Sequence, residues 1–365
     1  SSFVTQGEKV SDTNNGRRVK RVTIEDVARY VGVSKATVSL ALNRSPLVAR
    51  DTRERVIDAA EHLGYKANYF AKRLSMGRSE MIGLFILRGE EHFCNWTLPS
   101  SWMFYNPILK GITSYLSEQN YRFQLETITF EQCVTSSIIA DVIKESSLDG
   151  MLVLIQDEGD YGFLDIAKEM DFPLVIMNGL VNDEISTVKI DNELGARRVV
   201  EYLWKLGHRR IAHISGPRRD LNALERCSGF VSALNELKVE IDPAYVRYGD
   251  WQIASGKRLC KELFELDQPP TAVFCSNDHM GIGAIQMLQE MKIRVPHDVS
   301  VVGFDNTEMC TVVSPRLTTV EQALEEMGMM AAQEVLRQIS EGTTLVHQTN
   351  LEPKLILRDS CGPCR

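Results

Sequence analysis

The stretch VTIEDVARYVGVSKATVSLALNRSPLVARDTRERVIDAAEHLG, residues 22–64, decides how this chain is read. Thr23 is followed three residues on by Asp26, the spacing at which a hydroxyl and a carboxylate cap a helix reciprocally. Ile24, Val27, Ala28 and Val31 then recur at helical spacing and form one apolar face. Gly32 ends that helix. Ser34 caps a second helix running from Lys35 to about Asn43, with Val38, Ala41 and Leu42 inward. Asp51 with Glu54 predicts another capping box, opening a third helix whose inner residues are Val56, Ile57, Ala60 and Leu63 and whose end is Gly64.

Three short helices, the first two joined by a turn containing glycine, predict a helix-turn-helix. In that motif the second helix enters the major groove with its N-terminal residues at the base edges. Lys35, Ala36, Ser39 and Leu40 lie off the inner face and are the candidate base readers. Thr37, Arg44, Ser45 and Arg53 are placed for phosphates, and Thr23, Ser34 and Asn43 complete the candidate contacts of this unit. A plain helical bundle with a solvated basic face is the competing reading. Charge favours a polyanion partner: between Arg17 and Ser79 there are 14 Lys/Arg against 6 Asp/Glu, and after Ser79 there are 26 against 41.

At 365 residues the chain predicts two or three units, and 44% hydrophobic with 25% charged residues is ordinary for a globular protein. No run reaches the roughly 20 apolar residues of a membrane span. The first sixteen residues are polar and lack an apolar signal region, which predicts a tail over 1–20 and a cytoplasmic protein. Eight scattered cysteines read as free thiols. Cys361-Gly362-Pro363-Cys364 matches a redox C-x-x-C on paper, but only Arg365 follows, leaving no room for the helix such a thiolate needs. His92, Cys94, Glu90 and Glu91 lack a second ligand cluster, so no metal or cofactor is expected. The absence of G-x-x-x-x-G-K-[ST], H-E-x-x-H and G-x-S-x-G argues against an enzyme, and no catalytic residue is expected.

From Met81 onward apolar runs alternate with helical segments. MIGLFIL, RFQLETI, GMLVLI, PLVIMN, RIAHIS, AVFCSN and SVVGFD read as strands, and 107–119, 134–145, 193–206, 223–237, 252–264 and 278–290 as helices. Such alternation predicts parallel sheets covered by helices on both faces, with ligands at the carboxyl ends of strands. Asn178, Asn277, Asp278 and Asp305 close strands and are candidates, each with helix capping as its alternative role, which Asp278 suits best.

The string from 22 to 86 resembles the opening of the bacterial lactose-repressor/galactose-repressor regulators. The resemblance continues through DGMLVLI (149–155), VKIDNELGARRVVEYLWKLGHRRIAHISGP (188–217), AVFCSNDHMGIGAI (272–285), SVVGFDNTE (300–308) and LTTVEQ (317–322). It implies a helix-turn-helix domain over 21–66 and a hinge over 67–79, where 68–75 forms a helix that folds on operator DNA. Asn68 and Lys72 would be contacts there, and Leu74 would be the apolar wedge in the minor groove. Ala67 stands where the family often has proline.

The resemblance also implies a sensor over 80–360, built like periplasmic binding proteins from two doubly wound subdomains. These are expected over 80–191 with 322–348, and over 192–321 with 349–360. The matching cleft positions are Phe104, Tyr105, Asn178, Arg226, Trp251, Asn277, Asp305 and Gln322, a set that suits a sugar. Arg226 alone would equally suit a carboxylate or phosphate. RGEEHFCNWTLPSSW, after Leu87, is longer than the usual family connection. No leucine heptad follows LILRD (355–359), so a homodimer is expected. The implied protein is a regulator, a repressor by type, whose affinity for double-stranded operator DNA is set by a small effector. A transport-type binding protein fits the sensor but leaves the N-terminal helices without a role.

Overall fold

The structure, a computed structural model, describes residues 22–42, 45–65, 79–88, 99–129, 138–145, 147–157, 159, 161–179, 184–342 and 345–365. The chain divides into two units, one ending at Arg78 and the other beginning at Ser79.

The first unit is helical: α1 (Ile24–Val31), α2 (Lys35–Leu42) and α3 (Arg50–Leu63). At eight residues each, α1 and α2 are shorter than the ~12–15 an isolated helix needs, so packing holds them. The capping box at α1 forms as read, with the Asp26 carboxylate accepting from Thr23 N at 2.9 Å. Gly32 closes that helix at φ 79, donating to Ala28 O, and Ser34 Oγ accepts from Thr37 N at 3.1 Å. The expected Asp51–Glu54 box does not form. Helix α3 starts two residues earlier, with Ala49 at the cap position and no side-chain bond. Asp51 therefore lies inside the first turn, where its charge favours the helix dipole, and Glu54 accepts from Arg50 at 2.9 Å. Val27, Val38, Ala41, Val48, Val56, Ala59 and Ala60 make the core.

The second unit begins with β1 (Met81–Arg88), α4 (Pro99–Glu118), β2 (Arg122–Thr129), α5 (Ile138–Lys144), β3 (Gly150–Ile155), α6 (Phe163–Glu169), β4 (Leu174–Met177) and β5 (Ser186–Ile190). It continues through α7 (Asn192–Lys205), β6 (Ile211–Ser215), α8 (Leu221–Glu236), β7 (Val246–Tyr248), α9 (Ile253–Phe264), β8 (Ala272–Cys275), α10 (Asp278–Glu290), β9 (Ser300–Val302) and the short α11 (Met309–Val312). Then come β10 (Thr319–Glu321), α12 (Leu324–Glu341), β11 (Gln348–Leu351) and β12 (Lys354–Ile356).

Two parallel sheets result, ordered β11-β5-β4-β3-β1-β2 and β7-β6-β8-β9. β3 and β4 are buried along their whole length, as expected of strands covered on both faces. Each sheet carries a core on each face: Ile82, Ile112, Leu152 and Val335 against Phe85, Ile143, Val153 and Ile176 in the first lobe. Val273, Leu259 and Ile285 oppose Phe230, Phe274 and Val200 in the second. The chain crosses between lobes after β5, after β10 and after β11, and β10 pairs antiparallel with β12 beside these crossings. Because β11 pairs with β5, the first lobe keeps the chain to Leu351, beyond the 348 expected from sequence.

Candidate effector cleft and DNA-facing helix

On α2, Lys35, Ala36 and Leu40 are exposed while Thr37 and Ser39 are half-buried. Leu40 is 38% exposed, an apolar side chain turned outward from a three-helix core. The Lys35 ammonium pairs with the Glu25 carboxylate of α1, a neighbour that the helix pattern did not single out. Ser34 and Thr37 spend their hydroxyls on one another at 2.8 Å, holding the start of the helix. Arg53, read from sequence as a phosphate contact, donates Nη2 to the carbonyls of Ser45 (2.7 Å) and Val48 (3.0 Å) and so braces the turn before α3. Asn43, Arg44, Asn68, Lys72 and Leu74, with Ala67, lie outside the described residues.

In the second unit the carboxyl ends of strands from both lobes carry the candidate cleft. Arg226, on the first turns of α8, is its anchor and is only 2% exposed. Its Nε donates to Asn192 Oδ1 at 2.8 Å and its Nη1 to Ser276 O at 2.5 Å. Asp305 Oδ1 lies 3.7 Å from Nη1, and the Phe304 ring centroid lies 3.9 Å from the guanidinium carbon. Gln322, from the crossing after β10, donates to Asp305 at 2.5 Å. Burial pulls the Arg226 guanidinium below its usual range, and the charges of Asp305, Asp220, Glu225 and Asp278 oppose that pull, so it stays a cation. Burial, and then the charge of Asp278, push Asp305 up to about 8, against the pull of Arg226 and Gln322.

Trp251 follows β7 at φ 69 and donates Nε1 to Asp220 Oδ2 at 3.3 Å. Its ring covers Gly216, where an added Cβ would come within 2.3 Å of it, so only glycine admits this packing. Asn277 Oδ1 caps α10 by accepting from Met280 N, and its Nδ2 donates to Trp251 O at 2.9 Å. Asn277 thus occupies the capping role expected of Asp278. Asp278 instead lies one residue inside, fully buried, accepting from Thr307 N at 2.7 Å and Thr319 Oγ1 at 2.5 Å. Phe104 and Tyr105 meet edge to face at 5.3 Å, and the Tyr105 hydroxyl donates to Gln156 at 2.6 Å.

Asn178, at the end of β4, adopts φ 53, and neither its Oδ1 nor its Nδ2 has a hydrogen-bond partner in the protein. Gln322 Oε1 is buried and unpartnered as well. Trp251, Asp305, Asn306 and Ala323 are also left-handed, so strained backbone gathers at these strand ends.

Sequence reading missed the groups that hold Arg226. His213 is stacked between Phe230 (4.9 Å) and Phe274 (4.6 Å). Its Nδ1 lies 3.1 Å from Phe274 O, which can only accept, so Nε2 is left to accept from Ser276 Oγ at 3.2 Å. Burial depresses its pKa to about 3, so the ring is neutral and this order is fixed. Ser276 then presents its carbonyl to Arg226. The only sequence signal was a histidine two residues before the end of an apolar strand.

Among the described residues no group of three His, Cys, Asp or Glu could hold a metal. Of the longer connection after Leu87, residues 89–98 lie outside the described residues, and Trp102 sits half exposed in α4.

The profile described as bacterial regulatory proteins, lacI family, matches residues 23–68, and that of a periplasmic binding protein-like domain matches 200–361. Over 340 residues the chain is 34% identical to the probable HTH-type transcriptional repressor ExuR of Bacillus subtilis (strain 168), covering 93% of this chain and 98% of that protein. The chain belongs to the lacI family. It is a helix-turn-helix transcription regulator, and α1 to α3 form the DNA-binding fold of that family. Among solved structures, the lacI-family chain is similar to the transcriptional regulator CelR–cellobiose complex, with TM-score 0.68 and 32% identity over 93% of this chain and 100% of that one. It is also similar to the lac repressor dimer bound to operator and the anti-inducer ONPF, with TM-score 0.81 and 28% identity over 93% and 99%. The two-lobed parallel-sheet sensor expected from sequence is therefore the fold this lacI-family protein has.

Proposed function

We propose that this lacI-family protein is a repressor that binds a two-fold operator as a homodimer and is switched by a small sugar held in the cleft around Arg226. The carrying observation is the set of buried polar atoms without a partner, Asn178 Oδ1 and Nδ2 and Gln322 Oε1. A buried polar atom left without a partner costs about 1–3 kcal/mol, and a ligand rich in hydroxyls supplies donors to both carbonyl oxygens and an acceptor to Asn178 Nδ2. Trp251 offers the flat apolar face that a pyranose ring needs, while Asp305 accepts from hydroxyls. The relatives named above support the same reading, one as a cellobiose complex and one as an operator-bound dimer. Such a protein acts by binding, not catalysis, and works in the cytoplasm where its DNA is. No described helix is long and apolar enough to cross a membrane.

The test is a thermal-shift screen of the full chain against hexoses and disaccharides, cellobiose included, followed by footprinting of palindromic DNA with the best ligand present and absent. We expect a sugar that raises the unfolding temperature, a weaker response in Asn178→Ala, and a footprint that changes with the sugar. No response to any sugar contradicts the ligand class, and no protected palindrome contradicts the operator reading.

A further inference from the structure

We propose that α2 reads thymine methyl groups, so that Leu40, with Ala36 one turn before it, fixes A·T pairs in the operator. The inference rests on the operator reading above, with α2 in the major groove as the second helix of this motif. Base pairs differ there in what they present. Guanine offers two acceptors, adenine an acceptor and a donor, cytosine a donor, and thymine an acceptor beside its C5 methyl. Arginine or lysine matches the first, asparagine or glutamine the second, aspartate or glutamate the third, and an apolar side chain the methyl. Residues 35–42, KATVSLAL, contain no Arg, Asn, Gln, Asp or Glu.

The packing of α2 narrows the choice further. Val38 and Ala41 are buried in the three-helix core and Leu42 packs against it, so the inward face is complete without Leu40. Leu40 and Ala36 are both exposed, and their i, i+4 spacing sets them side by side on the outward face. A single exposed leucine is ordinary on a protein surface. On the helix that meets base edges it decides which bases can lie beneath it. The polar groups of α2 are engaged elsewhere: the Thr37 hydroxyl with Ser34 at 2.8 Å, and the Lys35 ammonium with Glu25, while Ser39 is half-buried. An ammonium carries three donors, so Lys35 keeps hydrogen bonds for a base or phosphate at the start of the helix. More than a turn further on, Leu40 has only carbon to offer. Over guanine, adenine or cytosine it would strip water from a donor or acceptor and return no bond. Over thymine it meets a methyl, and both apolar surfaces leave water.

The experiment is a binding-site selection with the full chain, followed by a scan in which each thymine of the selected half-site is replaced by deoxyuridine. That replacement removes one methyl and leaves every hydrogen-bonding atom of the base in place. We expect at least one A·T pair to be fixed in each half-site, and deoxyuridine there to weaken binding about fourfold, as for one methyl removed from a buried contact. Leu40→Ala should lose that sensitivity while the rest of the scan follows the parent, a coupling that a general loss of folding would not produce. Leu40→Arg should redirect the selection from A·T to G·C at the same pair. Deoxyuridine tolerated at every position, or an unchanged scan in Leu40→Ala, overturns the methyl reading and leaves the operator reading standing. A selection that enriches no sequence removes the operator reading and this inference with it.

Discussion

At the scale of single residues, the candidate site is held by a buried cation whose four partners come from three places in the sequence: Asn192, Ser276, and the adjacent Phe304 and Asp305. Arg226→Ala deletes the cation and leaves Asp305 beside Asp278 in the interior. Breaking a buried pair on one side costs about 3–5 kcal/mol, so urea unfolding of the sensor should show a loss of that order. A change below about 1 kcal/mol would contradict the geometry. Asp305 makes a pH prediction. Its folded pKa of about 8 lies well above the 3.8 of an ordinary aspartate. Its contribution to stability is therefore complete below about pH 4 and is lost as pH rises toward 8. Asp305→Asn is neutral throughout, so its unfolding midpoint should gain on the parent from pH 5 to pH 8, and a gap that stays flat across that range would speak against it. Part of this was legible beforehand: polar residues closing apolar strands named Asn178, Asn277 and Asp305. Their division of labour was not, because a one-residue shift in where α10 begins exchanges the roles of Asn277 and Asp278.

At the scale of elements, the contributions proposed for α2 and for the turn before α3 are separable by mutation. Lys35→Ala removes a donor at the reading end of the helix and should relax base preference in a binding-site selection. Arg53→Ala removes two bonds that brace the turn, so it should weaken binding to all sequences and also lower the melting temperature of the helical unit. An identical, uniform loss for both would contradict the assignment. In the sensor, Gly216→Ala drives a methyl into the Trp251 ring, and ligand affinity should fall by about tenfold or more with the sheet intact. Unchanged affinity by titration would separate Trp251 from the site. Apolar runs such as GMLVLI declared themselves as strands because they are buried on both faces. STVKI (β5) and QTNL (β11) did not, since their strand character comes from pairing with neighbours more than from their own composition. Helix α6, at seven residues, is too short for a periodic signal to stand out.

At the scale of the whole molecule, three chain crossings join two lobes whose cleft edges also touch directly. Leu221 N donates to Gln156 O at 2.8 Å, and Lys189 pairs with Glu225 at 3.0 Å, both across the lobes. A ligand that bonds groups on both lobes favours one lobe angle over another, and that preference is the only free energy available to change operator affinity. By linkage the operator must then change ligand affinity by the same factor. The most direct test is therefore a reciprocal titration of the full chain: operator affinity with and without saturating sugar, and sugar affinity with and without saturating operator. The account predicts equal factors, about 5- to 150-fold, in both directions of the cycle. An operator affinity that does not move when the sugar is demonstrably bound would contradict it.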